Sequence, residues 1–191
     1  MRGLAAAALV AAMLCAPPAM AVDDHAEFRN WSAMNPTGEF VNYLAYWRVL
    51  GVVPLRELVR TASDWERCGG PQFELPPKRL WPEVRQVLKL LAELKRLGIV
   101  EEFEAVSAYR NPKLNACAGG APKSAHTRSF AIDIVPEPGK VDERRLCDFW
   151  RKYGRYWKMG LSKYPSGRIH IDTAGYRTWG ATHGRGSAFC T

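Results

Sequence analysis

Histidine is scarce in this sequence, with 4 in 191 residues, and no two of the 5 cysteines stand in a C-x-x-C pair. The missing C-x-x-C spacing argues against a zinc site built from cysteine thiolates. Past the N-terminal stretch no apolar run approaches the ~20 residues that cross a bilayer, so the body of the chain has no transmembrane segment. Lysine and arginine are plentiful but form no concentrated stripe, which counts against a nucleic-acid partner despite a net charge of +8. Internal repeats, low-complexity tracts and a break in composition that would mark a second domain are all absent.

What stands at the N-terminus reads as an export signal. Arg2 precedes the apolar stretch LAAAALVAAMLC, and AMA at 19–21 has the small residues that signal peptidase selects, so 1–21 is expected to be a signal peptide cleaved near Ala21. A lipid anchor at Cys15 is the alternative, although Leu14 before it is bulkier than the residue such sites carry. Cleavage would leave 22–191, the size of one compact domain, exported to the periplasm or secreted. It would also leave Cys68, Cys117, Cys147 and Cys190, which in an oxidising compartment read as two disulfides with three possible connectivities. Proximity in sequence favours Cys68–Cys117 with Cys147–Cys190. The net charge falls to +7 with the loss of Arg2. Such a basic exported chain is drawn to envelope polyanions, among them teichoic acids, anionic lipid and the carboxylates of peptidoglycan stem peptides. Nothing in the sequence calls for more than a monomer.

The apolar pattern divides the chain into two textures. Over 38–65 aromatic and aliphatic residues recur at helical spacings, and Pro54 suits the start of a second helix. The Gly- and Pro-rich 68–80 reads as a loop. Over 81–99, Val84, Val87, Leu88, Leu91 and Leu94 make one apolar stripe of a long helix. Beyond it, FEAVSAY (103–109), FAIDIV (130–135), MGLSKY (159–164) and RIHIDTA (168–174) read as short strands, with a helix over 142–157. The expected class is α+β: a small antiparallel sheet, helices packed to one side, an N-terminal helical part over 38–99 and a motif-bearing part over 103–180.

Two of the few histidines fall at the edge of these strands or inside them. The two-residue period of a strand puts Arg168, His170 and Asp172 on one face and Ile169 and Ile171 on the other. In FAIDIV it sends Phe130, Ile132 and Ile134 inward and Asp133 to the opposite face. Asp133 and His170 meet if the strands are neighbours. His126 precedes Asp133 by seven residues, a span of about 23 Å if extended. Ligands of one zinc each lie about 2 Å from the ion, so the chain must reverse between the two, and TRS at 127–129 is a plausible place. Two imidazoles and a carboxylate form a typical catalytic zinc set, leaving a fourth position for water with a pKa of about 7. The competing reading is that Asp133 caps a turn and each histidine makes an ordinary hydrogen bond.

SAYRNPKLNACAGGAPKSAHTRSFAIDI (107–134) followed by GLSKYPSGRIHIDTAGYRTWG (160–180) resembles the zinc D-alanyl-D-alanine carboxypeptidases and related peptidoglycan endopeptidases, whose fold is shared with lysostaphin-type enzymes and the hedgehog signalling domain. Their pattern is Ser-x-His-x-x-Gly-x-Ala-x-Asp with a later histidine. Ser124, His126, Ala131 and Asp133 match it, and His170 falls where the third ligand is expected. The resemblance covers roughly the C-terminal half. It implies an exported hydrolase of amide bonds in peptidoglycan peptides, acting as carboxypeptidase or endopeptidase, with Zn2+ on His126, Asp133 and His170. Ser124 would lie against substrate. Arg110 in SAYRNP would anchor the peptide and stabilise developing oxyanion charge through its paired donors.

Two positions depart from the pattern. Ser129 stands where the family has glycine, which matters if the turn needs a positive φ. Many relatives carry an acidic residue three positions before the last zinc histidine as general base, whereas Gly167 and Arg168 stand here. Asp172 is the nearest carboxylate on the right strand face, either as base or as the group that holds a ligand imidazole in its tautomer. The missing acid also leaves open a catalytically silent, zinc-containing peptidoglycan-binding module. His183 is expected to be exposed, and Tyr164, Tyr176 and Trp179 to be core rather than substrate platforms.

Overall fold

The computed structural model describes residues 24–129, 131–180 and 188–190. The signal-peptide reading at 1–21, Cys15, Phe130 and His183 lie outside the described residues. No described helix is long and apolar enough to cross a membrane.

Among the described residues, six α-helices and five strands form an α+β fold: α1 (Asp24–Met34), α2 (Gly38–Tyr46), α3 (Leu55–Leu58), α4 (Trp81–Arg96), β1 (Phe103–Ser107), α5 (Pro112–Cys117), β2 (Ala131–Pro136), α6 (Glu143–Trp157), β3 (Gly160–Lys163), β4 (Ile169–Asp172) and β5 (Arg177–Trp179). Helix α4 carries the expected stripe, with Val84, Val87, Leu88, Leu91 and Leu94 all buried, and Leu90 widens it. Helix α6 starts at its N-cap, Asp142, whose side chain accepts the Arg145 N–H at 3.0 Å, leaving Leu146 and Phe149 to face the core.

The sheet order is β1-β2-β4-β3-β5. The first four strands pair antiparallel as expected, whereas β5 runs parallel to β3 along the edge, so the sheet is mostly rather than wholly antiparallel. One face is apolar: Ile132, Ile134, Leu161, Ile169 and Ile171 are buried in a cluster shared with α4 and α6. Each such side chain contributes about 1.5–3 kcal/mol of transfer free energy. The other face carries a polar row. Register aligns Ser107, Asp133, His170 and Ser162 across β1, β2, β4 and β3, and all four are buried.

The N-terminal half differs from the expected pattern in two places. The polar start forms α1, held by the Asp24 carboxylate against Arg56 and Arg60 and by Phe28 and Trp31 around Phe73. Helical spacing over 38–65 ends early, because Val59 caps α3 and Arg60 bridges to Phe73 while the Thr61 hydroxyl donates to Pro71 O at 2.6 Å. The chain then runs out as a loop through Ser63 and Asp64. Disulfides join Cys68 to Cys117 and Cys147 to Cys190. The first ties the segment after that loop to α5, and the second ties α6 to the C-terminal segment.

One contact on the polar face is tight. Gly160 on β3 faces Asp172 on β4, and a Cβ at position 160 would overlap the Asp172 carboxylate. Gly160→Ala is expected to cost about 1–3 kcal/mol through overpacking, read as a lower midpoint in chemical denaturation followed by circular dichroism.

Candidate metal centre and cavity

His126 is delivered by a turn that the sequence encodes residue by residue. Ser124 caps a 3-10 turn over Ala125–Arg128, its hydroxyl accepting the His126 N–H at 3.3 Å. Ser129 then takes φ 58° and ψ 23°, the left-handed region that reverses the chain into β2. The glycine of the family pattern is thus replaced by a serine in a conformation that costs an L-residue about 1–2 kcal/mol. Its hydroxyl is buried without a partner among the described residues.

The reversal brings three side chains together. His126 Nε2 lies 3.2 Å from Asp133 Oδ1 and 3.2 Å from His170 Nδ1, and His170 Nδ1 lies 2.8 Å from Asp133 Oδ1. Four-coordinate donors about 2.0–2.1 Å from a zinc ion stand about 3.3 Å apart, so a slight outward relaxation of this triangle fits one. The outer atoms of both rings fix their tautomers. His126 Nδ1 donates to Ala108 O at 2.7 Å, and a carbonyl only accepts, so the lone pair of Nε2 faces the triangle. His170 Nε2 donates to Asp172 Oδ2 at 2.8 Å, so Nδ1 faces inward.

Three electron-pair donors pointed at one another demand a positive charge. Burial pushes the His126 imidazolium down in pKa, more than Asp133 pulls it up. Burial opposes the charge on His170 as well, but hydrogen bonds to Asp133 and Asp172 outweigh it and push the pKa up to about 9. Burial alone would raise Asp133, yet the two imidazoles hold it well below the usual carboxylate range. A group of two imidazoles and one carboxylate with this proton affinity is suited to a divalent cation, and it is the one such cluster among the described residues.

Asp172 sits on the far side of the His170 ring from the triangle. It is fully buried and its oxygens are spent on His170, on the Ala174 N–H at 2.7 Å and on a paired contact with Arg177 at 3.0 and 2.6 Å. Of the two duties expected for it, this geometry suits holding the imidazole and gives it no path to the cavity.

The triangle forms the floor of a cavity of about 580 Å³. Arg110 enters from the loop after β1, its N–H bonded to His126 O at 3.3 Å. Its guanidinium is largely buried and stands 3.8 Å from Asp133 Oδ2, too far for a hydrogen bond, and its Nε has no partner among the described residues. Burial lowers its pKa while Asp133 works the other way. Tyr164 and Trp179 line the wall, the latter with its ring centroid 5.1 Å from that of His170. Burial, reinforced by Asp133, pushes the Tyr164 phenol up to about 12, so it keeps its proton as a donor. Tyr176 instead stacks on Trp150 at 4.5 Å. Ser124 also lines the cavity, beside the Gly119–Gly120 loop.

Ser63 and Asp64 line the cavity too, and the sequence reading passed over them because they fall inside a stretch with helical spacing. The signal that could have found them is the pair of β-branched residues Val59 and Thr61, which breaks that spacing just before them. Asp64 and Asp133 are the only carboxylates among the described lining residues.

No curated protein and no solved structure matches the chain. The model of one protein family, Peptidase M15, matches residues 58–172. That span is well over half of the chain, runs from the Ser63–Asp64 loop to Asp172, and contains the whole triangle and Arg110. A motif, a donor set and a family model that coincide on the same residues place this chain in the Peptidase M15 family, the group of zinc D-alanyl-D-alanine carboxypeptidase-like enzymes.

Proposed function

We propose that the chain is an exported zinc peptidase that hydrolyses amide bonds in the stem peptides or cross-links of peptidoglycan. In this reading 22–191 acts as one peptidase domain after loss of the leader. The observation that carries it is the convergence of His126 Nε2, Asp133 Oδ1 and His170 Nδ1 at 2.8–3.2 Å on the floor of an open cavity. When bound there, zinc supplies Lewis acidity to a carbonyl and lowers the pKa of a water.

The remaining work falls to the chain's own side chains. Arg110 meets Asp133 only at 3.8 Å and lines the cavity, where it orients the peptide and meets charge that develops on the carbonyl oxygen. The Tyr164 hydroxyl donates from the adjacent wall. Asp172 keeps the His170 tautomer fixed through Nε2–H, and against the cost of burial His170 first and then Arg177 keep Asp172 ionised. Asp64 is the cavity carboxylate outside the triangle and takes the proton-transfer role that relatives give to an acid before the last histidine.

The absence of that acid also supports a second reading, a silent zinc-containing peptidoglycan-binding module. Gly167 adopts φ +85° in the β3–β4 turn, a conformation that disfavours any acidic side chain there. Both readings place zinc in the triangle and differ in whether fragments are released.

Protein purified without added metal is expected to contain one zinc per chain by plasma mass spectrometry, and His126→Ala to bind it more than about 100-fold more weakly. Purified peptidoglycan incubated with the zinc-loaded wild type is expected to yield new peptide fragments by chromatography with mass detection, absent with His126→Ala or chelator. Intact peptidoglycan from folded, zinc-loaded wild type would establish the silent module instead.

A second pair of variants separates proton transfer from ligand support. Asp64→Asn is expected to retain zinc and lose about 10²–10⁴ in kcat, whereas Asp172→Asn is expected to lose about 10–100-fold in zinc affinity. Competition with a chromophoric chelator measures the affinities. Equal kcat for Asp64→Asn and wild type would remove Asp64 from the chemistry.

A further inference from the structure

The cavity holds more positive charge than the reaction centre consumes. Arg110, Lys123, Arg168 and Arg177 line it against Asp64 and Asp133. Arg177 is spent on Asp172, and Arg110 stands over Asp133. Lys123 is exposed on the rim loop. Arg168 is different: it is half-buried, its Nη1 donates to the Ser63 hydroxyl at 2.8 Å, and its guanidinium lies over the Tyr164 ring, 5.5 Å from the centroid. No carboxylate pairs with it among the described residues. Asp64, next to Ser63, pairs with Arg67 instead at 3.3 Å.

Its placement is fixed by the hairpin between β3 and β4. Tyr164 N–H donates to Arg168 O at 2.8 Å and Gly167 N–H to Tyr164 O at 2.9 Å, so Arg168 immediately precedes β4, two residues ahead of His170. Two residues of strand span about 6.6 Å, and one further residue of a bound peptide spans about 3.5 Å. A guanidinium rooted at 168 therefore reaches the terminus of a peptide that extends one residue past a carbonyl held over the triangle. A guanidinium braced by an aromatic ring and a hydroxyl has N–H donors left over, in the planar fork that matches a carboxylate.

We infer that Arg168, braced by Ser63 and Tyr164, is the specificity residue of this site and selects peptides that end in a free carboxylate one residue beyond the scissile bond. The inference rests on the peptidase reading above and narrows it to a carboxypeptidase. One water is consumed: the amide C–N bond breaks, the acyl carbon gains the hydroxyl, the amine gains the proton, and a single terminal amino acid leaves. Arg168 occupies the neighbourhood in which relatives place an acid, and it exchanges a proton acceptor for an anion anchor.

The test uses an N-acetylated tripeptide ending in D-alanyl-D-alanine and its C-terminal amide, with zinc-loaded wild type, Arg168→Gln, Arg168→Lys and Ser63→Ala. Calorimetry with N-acetyl-D-alanine and its amide on the metal-free proteins gives a readout independent of turnover. The acid is expected to exceed the amide by at least 100-fold in kcat/KM for wild type. That ratio is expected to fall below 10 for Arg168→Gln, chiefly through KM, and to lie between the two for Arg168→Lys and Ser63→Ala. Equal cleavage of acid and amide by wild type overturns the anchor and leaves a peptidase of endopeptidase type. Cleavage of neither, with acid still bound in preference to amide through Arg168, removes the peptidase reading and keeps the anchor. Cleavage of neither with no such preference overturns both.

Discussion

Mutual repulsion among the lone pairs of His126, His170 and Asp133 is the constraint around which the polar face of the sheet is arranged. Three such groups separated by 2.8–3.2 Å and buried from water persist with a positive charge among them, either a proton on His170 or a cation. Every neighbouring hydrogen bond serves that arrangement. Ala108 O orients one ring and Asp172 the other, while Arg177 compensates the buried charge of Asp172. Because Asp133 and His170 are register partners on adjacent strands, the β-ladder itself sets their separation. Only His126 arrives from outside the sheet, and the turn that delivers it takes on backbone strain at Ser129.

The apolar half of the molecule supplies the rigidity that this requires. Helices α4 and α6 cover the inner face of the sheet with a continuous cluster of buried side chains, so β2 and β4 cannot shift register without moving their isoleucines out of the core. The Cys68–Cys117 link fastens the chain just after the Ser63–Asp64 wall to α5, which leads directly into the Gly119–Ser124 wall opposite. The cavity is therefore clasped by a covalent bond on one side and floored by paired strands. A loop-built wall would otherwise have only hydrogen bonds to hold it.

Much of this was legible in the sequence, and what was missed has physical causes. Strand alternation placed His170 and Asp172 on one face and Asp133 opposite the isoleucines, because a period of two follows from backbone geometry alone. The need for a reversal between His126 and Asp133 followed from chain length, and the Ser129 turn supplies it. The stripe of α4 and the pairing of cysteines also emerged, the latter from proximity. Helix α1 did not, since it buries no residue of its own and is held by ion pairs to distant arginines. Strand β5 is three residues long and parallel, with no local turn to announce it. Ser63 and Asp64 reach the cavity through the tertiary path of a loop, which no local pattern encodes. The polar residues of the outer face are buried, which strand alternation alone does not show.

The torsion at Gly167 also bears on how the site can change over time. Every glycine codon becomes a codon for aspartate or glutamate by one substitution at its second base, so an acid at this position is always a single mutation away. Space would not oppose it, since nothing lies within 4 Å of where a Cβ would stand. The backbone opposes it: at φ +85° an acidic side chain costs about 1–2 kcal/mol. An acid regained at this turn either carries that strain, as Ser129 does in its own turn, or relaxes the hairpin that positions Arg168. The genetic code makes the two sequences neighbours, and the backbone sets a cost between them.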